Sequence, residues 1–199
     1  MALNDFVRTP RYVTEALLEN ESFDGTILEP CCGDGAISKV LQANGYQVTS
    51  SDKFDYGFGS QKDLFYIQEH CENAITNPPF THQQKVKRHL LSITNKKLAL
   101  LWYVKNLGNE METKSSKNLK AVYVFDKRIE WVEAKLGWLF AWYVWEKGYE
   151  GDVTIRRIKR GLTKHAADSW DSPSIQAVFS PEVLSAKVVE QTPAQLPLM

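Results

Sequence analysis

Residues 26–52 read TILEPCCGDGAISKVLQANGYQVTSSD, and this run decides the fold. TILEP is a short apolar run that ends in an acid and a proline, the pattern of a buried strand closed by a turn. In CCGDG, Gly33 and Gly35 bracket a tight turn and let a ligand come close to the backbone. From there Ile37, Val40 and Leu41 recur at helical spacing, and Asn44–Gly45 supplies the stop signal. YQVTSSD reads as a second strand ending in Ser51 and Asp52. Strand, glycine turn, helix and strand in so short a span form a βαβ unit, whose strands run parallel because the helix carries the chain back.

Working outward, TPRYVTEALLENE (Thr9–Glu21) carries Val13, Ala16, Leu17 and Leu18 on one helical face behind a proline near its start. ENAIT (Glu72–Thr76) is a short strand that leads into a proline turn. HQQKVKRHLLSITNKK (His82–Lys97) repeats Val86, Leu90 and Ile93 at helical spacing, and LALLWYV (Leu98–Val104) is a continuous apolar strand. Lys105–Asn118 has no apolar period and reads as a polar loop at the C-terminal edge of the sheet, where α/β folds keep their substrate-gripping loops. LKAVYVF (Leu119–Phe125) and GWLFAWYVW (Gly137–Trp145) are two further strands, and VTIRRIK (Val153–Lys159) is an edge strand. Trp138, Phe140, Trp142, Tyr143 and Trp145 are expected in the core, because a strand between two layers is apolar on both faces.

A chain of 199 residues with 43% hydrophobic and 24% charged residues has room for one domain with a full core. That domain is expected over residues 1–168. From Ser169 the composition turns to Ser, Pro, Gln and small residues, the pattern of a partly disordered C-terminal extension over 169–199. The formal net charge is zero, so no global field draws a polyanion, and any nucleic-acid binding must use local patches. Lys85, Lys87 and Arg88 form one such patch, and Arg156, Arg157, Lys159, Arg160 and Lys164 another; a solvated edge strand is the plain alternative for the second. Cys31, Cys32 and Cys71 make no metal or disulfide framework and fit reduced thiols in a cytoplasmic setting. The start, MALNDFVRTP, lacks the apolar run of a signal peptide, and no stretch nears the ~20 apolar residues of a membrane span. His70, His82, His89 and His165 lack the spacing of a metal site, so no metal is expected. The oligomeric state, a monomer included, stays open.

Two features carry chemistry. Asp52 ends the strand after the glycine turn, where a carboxylate typically accepts hydrogen bonds from a ribose diol. Glu29 before the turn would repel a pyrophosphate but hold an ammonium group, and Ser38 stands where a dinucleotide fingerprint has its third glycine. Ribose, adenine and ammonium without phosphate describe S-adenosylmethionine (AdoMet) better than NAD. The second feature is TNPPF (Thr76–Phe80). Its prolines fix φ and donate no hydrogen bonds, and Asn77 before them is pushed out of the helical region. The Asn77 amide and the neighbouring carbonyls are thereby held in defined directions.

LEPCCGDGA followed by NPPF resembles the class I AdoMet-dependent methyltransferases that modify an exocyclic or amide nitrogen. TPRYVTEALL, ahead of the glycine turn, is similar to the N-terminal AdoMet-contacting segment of bacterial and phage adenine-N6 DNA methyltransferases. The resemblance covers Asp5 to Phe80 by motif and extends to Lys159 by strand order. It implies a Rossmann-like α/β fold: a seven-stranded, mostly parallel sheet with a C-terminal antiparallel hairpin and helices on both faces. Residue by residue, it implies that Glu29, Gly33 and Gly35 form the AdoMet-binding turn and that Asp52 binds the ribose. It further implies that Asp63 in KDLF bonds the cofactor adenine and that Thr9 and Pro10 make the N-terminal contact. Asn77, Pro78, Pro79 and Phe80 match the catalytic motif. The chain departs from the family at Cys31–Cys32, and no separate target-recognition domain is expected after the core.

The implied reaction is methyl transfer from AdoMet to the N6 amine of adenine in DNA. Adenine's exocyclic nitrogen is a poor nucleophile because its lone pair is delocalised into the ring. Acceptors at Asn77 and at the Pro78 carbonyl would take its two hydrogens and free the lone pair, while Phe80 stacks the extruded base. RNA adenine and a protein glutamine amide remain alternative substrates, since those enzymes share NPP-aromatic motifs. So does a non-catalytic subunit that binds nucleic acid for a partner.

Overall fold

The computed structural model describes residues 6–112, 117–131 and 137–159. Its elements are α1 (Arg11–Leu18), β1 (Ile27–Glu29), α2 (Ala36–Ala43), β2 (Val48–Asp52), β3 (Ser60–Gln61) and β4 (Cys71–Thr76). They continue with α3 (Gln83–Ile93), β5 (Thr94–Tyr103), α4 (Leu107–Glu112), β6 (Leu119–Phe125), β7 (Phe140–Glu146) and β8 (Thr154–Ile158). The chain divides into units Met1–Leu162 and Thr163–Met199; the second, with the expected C-terminal extension, lies outside the described residues. So do Arg160, Lys164 and His165.

The strands form one sheet in the order β3-β2-β1-β4-β5-β7-β6-β8. β1 runs parallel to β2 and β4, β4 parallel to β5, and β7 antiparallel to β5 and β6. The described residues thus hold eight strands where seven are expected. The addition is β3, whose two exposed residues pair with Ser51 and Asp52. Two polar residues carry no hydrophobic period, so nothing in the sequence marks them. β8 closes the far edge, parallel to β6.

Alternation along the central strands feeds two cores. On one face Ala99, Leu101, Trp142 and Val144 pack with Val13 and Leu17 of α1 and Ile37 and Leu41 of α2. On the other, Leu98, Leu100, Trp102, Tyr143 and Trp145 pack with Val86, Leu90 and Ile93 of α3. Helices therefore cover both faces, as expected of a sheet whose strands are apolar throughout. Trp138 is the exception in the aromatic run: it precedes β7 and stands 55% exposed. The α3 helix stops at Ile93, because the β-branched Thr94 opens β5 in extended backbone. Among the described residues no helix is long and apolar enough to cross a membrane.

Part of the expected polar loop is helical. α4 presents Glu110, fully buried, to Lys87 of α3, whose ammonium lies 2.7 Å from both carboxylate oxygens. Gln84 donates to the same carboxylate at 2.9 Å, and the Trp102 and Trp145 rings flank the ammonium, each 5.8 Å away. Lys87 is therefore not a phosphate contact; it is wholly buried. Lys85 and Arg88, which share its helix, remain exposed.

Removing one member of such a pair leaves an uncompensated buried charge, which costs about 3–5 kcal/mol. Glu110→Ala should lower unfolding free energy by about that amount, and the double substitution Lys87→Met with Glu110→Leu should lose less than either single change. Urea titrations of the four proteins measure this.

Candidate functional site

The site grows from the turn between β1 and α2. Gly33 and Gly35 take φ of 53° and 83°, left-handed backbone that other residues adopt only with strain. The Cys32 N–H donates to Ser51 O at 2.9 Å and the Gly35 N–H to Cys32 O at 2.8 Å. Asp52, at the end of β2, accepts from the Gly33 N–H at 2.9 Å and from the Phe54 N–H at 3.0 Å. One carboxylate therefore ties the glycine turn to the neighbouring strand and to the loop beyond it. Each of its oxygens keeps a lone pair for a further donor.

The glycines are also required by what covers them. A Cβ at Gly33 would lie 2.1 Å from the Phe6 ring, and one at Gly35 would lie 2.5 Å from the Phe58 ring. Phe6 in turn stacks on Tyr56 with 4.6 Å between ring centroids. The N-terminal segment crosses the turn as a strap: Arg8 pairs with Asp34 at 2.6 Å, and Thr9 Oγ1 accepts from Asn77 Nδ2 at 3.2 Å.

Beside this turn lies a cavity of about 810 Å³. Glu29, Asp52 and Asp63 line it, as do Thr9, Asn77, Pro78, Pro79 and Phe80. Gly33, Gly35 and Pro10 are not among the residues that line it; Pro10 is the residue before the first turn of α1. Arg8, Asp34, Phe6, Phe54 and Tyr56 also line it, and sequence reasoning did not single them out. The signal was the alternation of aromatics and glycines in KFDYGFG (Lys53–Gly59), directly after Asp52.

Glu29 is almost wholly buried and accepts a hydrogen bond from the Ser38 hydroxyl. Ser38 Oγ lies 2.6 Å from Ser50 Oγ. Burial holds the Glu29 carboxyl well above the usual carboxylate range; the Ser38 bonds oppose that rise, and the charges of Asp52 and Asp34 add to it. Asp63 caps the 3-10 turn Leu64–Tyr66 by accepting from the Phe65 N–H at 3.0 Å, and Lys53 approaches its other oxygen at 3.3 Å. Burial also raises the thiols: Cys32 is pushed up to about 12 by burial and the nearby Glu29 and Asp52 carboxylates. Cys31 is raised as well, so neither offers a thiolate near neutral pH.

The proline turn leaves β4 at Thr76. With its Nδ2 engaged by Thr9, Asn77 is fixed in orientation, and its Oδ1 is buried with no hydrogen-bond partner. Phe80, half-buried, tilts against Tyr103 at 5.0 Å and Phe140 at 5.9 Å while it lines the cavity. An amide acceptor, an aromatic wall and five carboxyl groups, those of Glu29, Asp34, Asp52, Asp55 and Asp63, thus meet around one space.

The sequence matches no protein-family model and no curated protein. Its fold is shared with solved structures. A "predicted O-methyltransferase" from Agrobacterium tumefaciens aligns over 85% of this chain and 95% of its own, with TM-score 0.57 and 14% identity. A protein assigned as a class I S-adenosylmethionine-dependent methyltransferase from Listeria monocytogenes aligns over 84% of this chain, with TM-score 0.52 and 14% identity. The modification subunit assigned to a type I restriction enzyme of Vibrio vulnificus aligns over 80% of this chain, with TM-score 0.50 and 9% identity. The chain spans 65% of the Listeria protein and 48% of the Vibrio one. It has the class I methyltransferase fold. In that fold the cavity stands at the C-terminal ends of β1 and β4, where ligands of open α/β sheets bind.

Gly35→Ala should destabilise more than Gly45→Ala. Both positions have left-handed φ, but a Cβ at Gly45 meets nothing within 4 Å. Backbone strain alone costs about 1–2 kcal/mol, and displacing the Phe58 ring should add about 1–3 kcal/mol. Paired denaturant titrations give the difference; equal losses would mean that Phe58 moves aside without cost.

Proposed function

We propose that this chain is an AdoMet-dependent methyltransferase that modifies the exocyclic N6 amine of adenine in DNA. The observation that carries the reading is the Asn77 side chain: one end anchored by Thr9, the other a buried acceptor without a partner on the cavity wall.

The cavity residues fit AdoMet. Glu29 offers a buried carboxyl suited to the ammonium group, Asp52 keeps lone pairs for a ribose diol, and Asp63 stands near for the adenine. Gly33 and Gly35 shape the turn behind them. Bound there, AdoMet supplies an electrophilic methyl group on a sulfonium. Asn77 Oδ1 and the Pro78 carbonyl accept the two hydrogens of the target amine, which favours a tetrahedral nitrogen with its lone pair free. The rigid prolines hold both acceptors in place before the reaction, so little reorganisation is needed. Phe80, backed by Tyr103 and Phe140, gives the target a flat wall, which suits a purine better than a glutamine amide. RNA adenine offers the same amine, and reduced thiols accord with a cytoplasmic setting. Labelled AdoMet offered with DNA, RNA and protein in parallel identifies the acceptor; an unlabelled DNA product would overturn the reading.

Asn77→Ala should abolish methyl transfer and leave AdoMet affinity nearly intact, because its lost contact belongs to the transition state. Asn77→Asp, which keeps an acceptor beside a nitrogen that becomes cationic, should retain partial activity. Single-turnover methylation and calorimetric cofactor binding on the same preparations test both. Wild-type turnover in Asn77→Ala would make the proline turn a mere connection.

Glu29 gives a pH prediction. Burial holds its folded carboxyl well above the usual carboxylate range, so it stabilises the unliganded protein at low pH and loses that contribution as pH rises through the folded value. Glu29→Gln should therefore be the more stable unliganded protein at alkaline pH. A cation beside Glu29 favours its charged form, so AdoMet should bind more tightly as pH rises and should release a proton below the folded value. Calorimetry in buffers of different ionisation enthalpy counts that proton, and Glu29→Gln should abolish its release.

A further inference from the structure

An aromatic row leaves the cavity and runs to solvent along the C-terminal edge of the sheet. Phe80 contacts Tyr103, the last residue of β5, and Tyr103 meets Trp138 edge-on with 6.2 Å between centroids. The Val104 N–H donates to Leu139 O at 2.9 Å, which fixes the segment before β7 beside the end of β5. Trp138 is 55% exposed, and the Lys105 ammonium lies 4.7 Å from its ring and 5.0 Å from that of Tyr103.

The charges around this row are distributed unevenly. At the opposite edge of the sheet, Lys97 and Lys120 both pair with Glu21 and Glu146, and Lys96 pairs with Asp24 and Glu72. At the C-terminal edge, Lys127 and Arg128 follow β6, Arg157 lies near the end of β8, and Lys159 follows it. The Asp126 N–H donates to Ile158 O at 3.0 Å and so joins these two ends. Together with Lys105 these cations take part in no ion pair among the described residues, and the first four are exposed. Exposed tryptophan beside unpaired cations is the chemistry of a surface for single-stranded polynucleotide: bases stack on the ring and phosphates meet the cations.

We propose that Trp138, with Tyr103 and Lys105, is a stacking platform for the nucleotide next to the target adenine, and that the strand runs from Phe80 toward the ends of β6 and β8. The substrate is then single-stranded or locally unpaired DNA. The proposal rests on the adenine-N6 reading for its orientation, but its binding surface is tested separately from methyl transfer.

The probe is a fluorescein-labelled oligo-dT, which holds no adenine, titrated by anisotropy across a salt series. Wild type should bind it with an affinity whose logarithm falls linearly with the logarithm of salt concentration. Trp138→Ala should weaken binding about 5- to 100-fold with the salt slope unchanged, and Trp138→Phe should recover most of the loss. Lys127→Gln with Arg128→Gln should flatten the slope by about 1 to 2, whereas Lys96→Gln at the opposite edge should leave it alone. Unchanged binding in Trp138→Ala overturns the platform. So does wild type with no affinity for oligo-dT, including the case in which labelled methyl appears on a peptide glutamine. If oligo-dT binds through Trp138 yet no adenine is methylated, the platform stands and the N6 reading fails. If adenine is methylated and Trp138→Ala binds and methylates as wild type does, the N6 reading stands and the platform fails.

Discussion

The reversal of winding between β1 and β4 is the constraint on which the site depends. β1 pairs with β2 on one side and with β4 on the other, all parallel. The helix leaving β1 covers one face of the sheet, and the helix leaving β4 covers the other. The chain therefore parts above adjacent strand ends and leaves a crevice that no side chain needs to carve. Glu29 ends β1, and Asn77 follows β4 by one residue. Two groups distant in sequence thus reach one cavity because their strands are hydrogen-bonded neighbours. Asp52 completes the arrangement from β2, and its bond to the Gly33 N–H keeps the turn from opening.

The N-terminal strap turns this crevice into an organised site. Thr9 holds one end of the Asn77 amide, which leaves the other as an acceptor of fixed direction. An amide suits this role because it offers a donor for the anchor and an acceptor for the target, and a carboxylate would offer no donor. The Arg8–Asp34 ion pair and the Phe6 ring on Gly33 fasten the same strap to the glycine turn. The proposed cofactor side and the proposed target side are therefore joined by five consecutive residues, Phe6 to Pro10. A change that loosened the strap would reach both sides at once.

The parts of the molecule legible in the sequence are those that local chemistry specifies. Gly33 and Gly35 mark a turn because their backbone needs positive φ, and Asn77–Phe80 marks another because proline permits few conformations. Strands buried on both faces declare themselves as unbroken apolar runs, which is why β5 and β7 were readable. What stayed hidden depends on partners far along the chain. Lys87 reads as surface until Glu110 and two indoles surround it. Trp138 reads as core by analogy with Trp142 and Trp145, but it precedes the strand and faces solvent. β3 exists only because β2 offers it an edge, and Phe6 matters only because a glycine lies beneath it. The substrate is hidden for a different reason: the fold is shared with a protein named an O-methyltransferase and with one named a restriction-enzyme modification subunit, so only the side chains around the cavity can decide it.

A formal net charge of zero hides how the charges are used. At the edge of the sheet away from the cavity, carboxylates and ammonium groups neutralise one another in a network around Glu21, a buried carboxyl that also accepts from the Tyr123 hydroxyl at 2.6 Å. Those cations are committed to folding, and their field beyond a few ångströms is small. At the edge that bears the cavity, Lys105, Lys127, Arg128, Arg157 and Lys159 have no such partners among the described residues. Screening at physiological salt acts over about 8 Å, so a strand laid along this edge would feel these cations and little of the acids opposite. Segregating paired from unpaired lysines lets a neutral protein present a local basic surface, and it places that surface where β4 and β5 deliver Asn77, Phe80 and Tyr103.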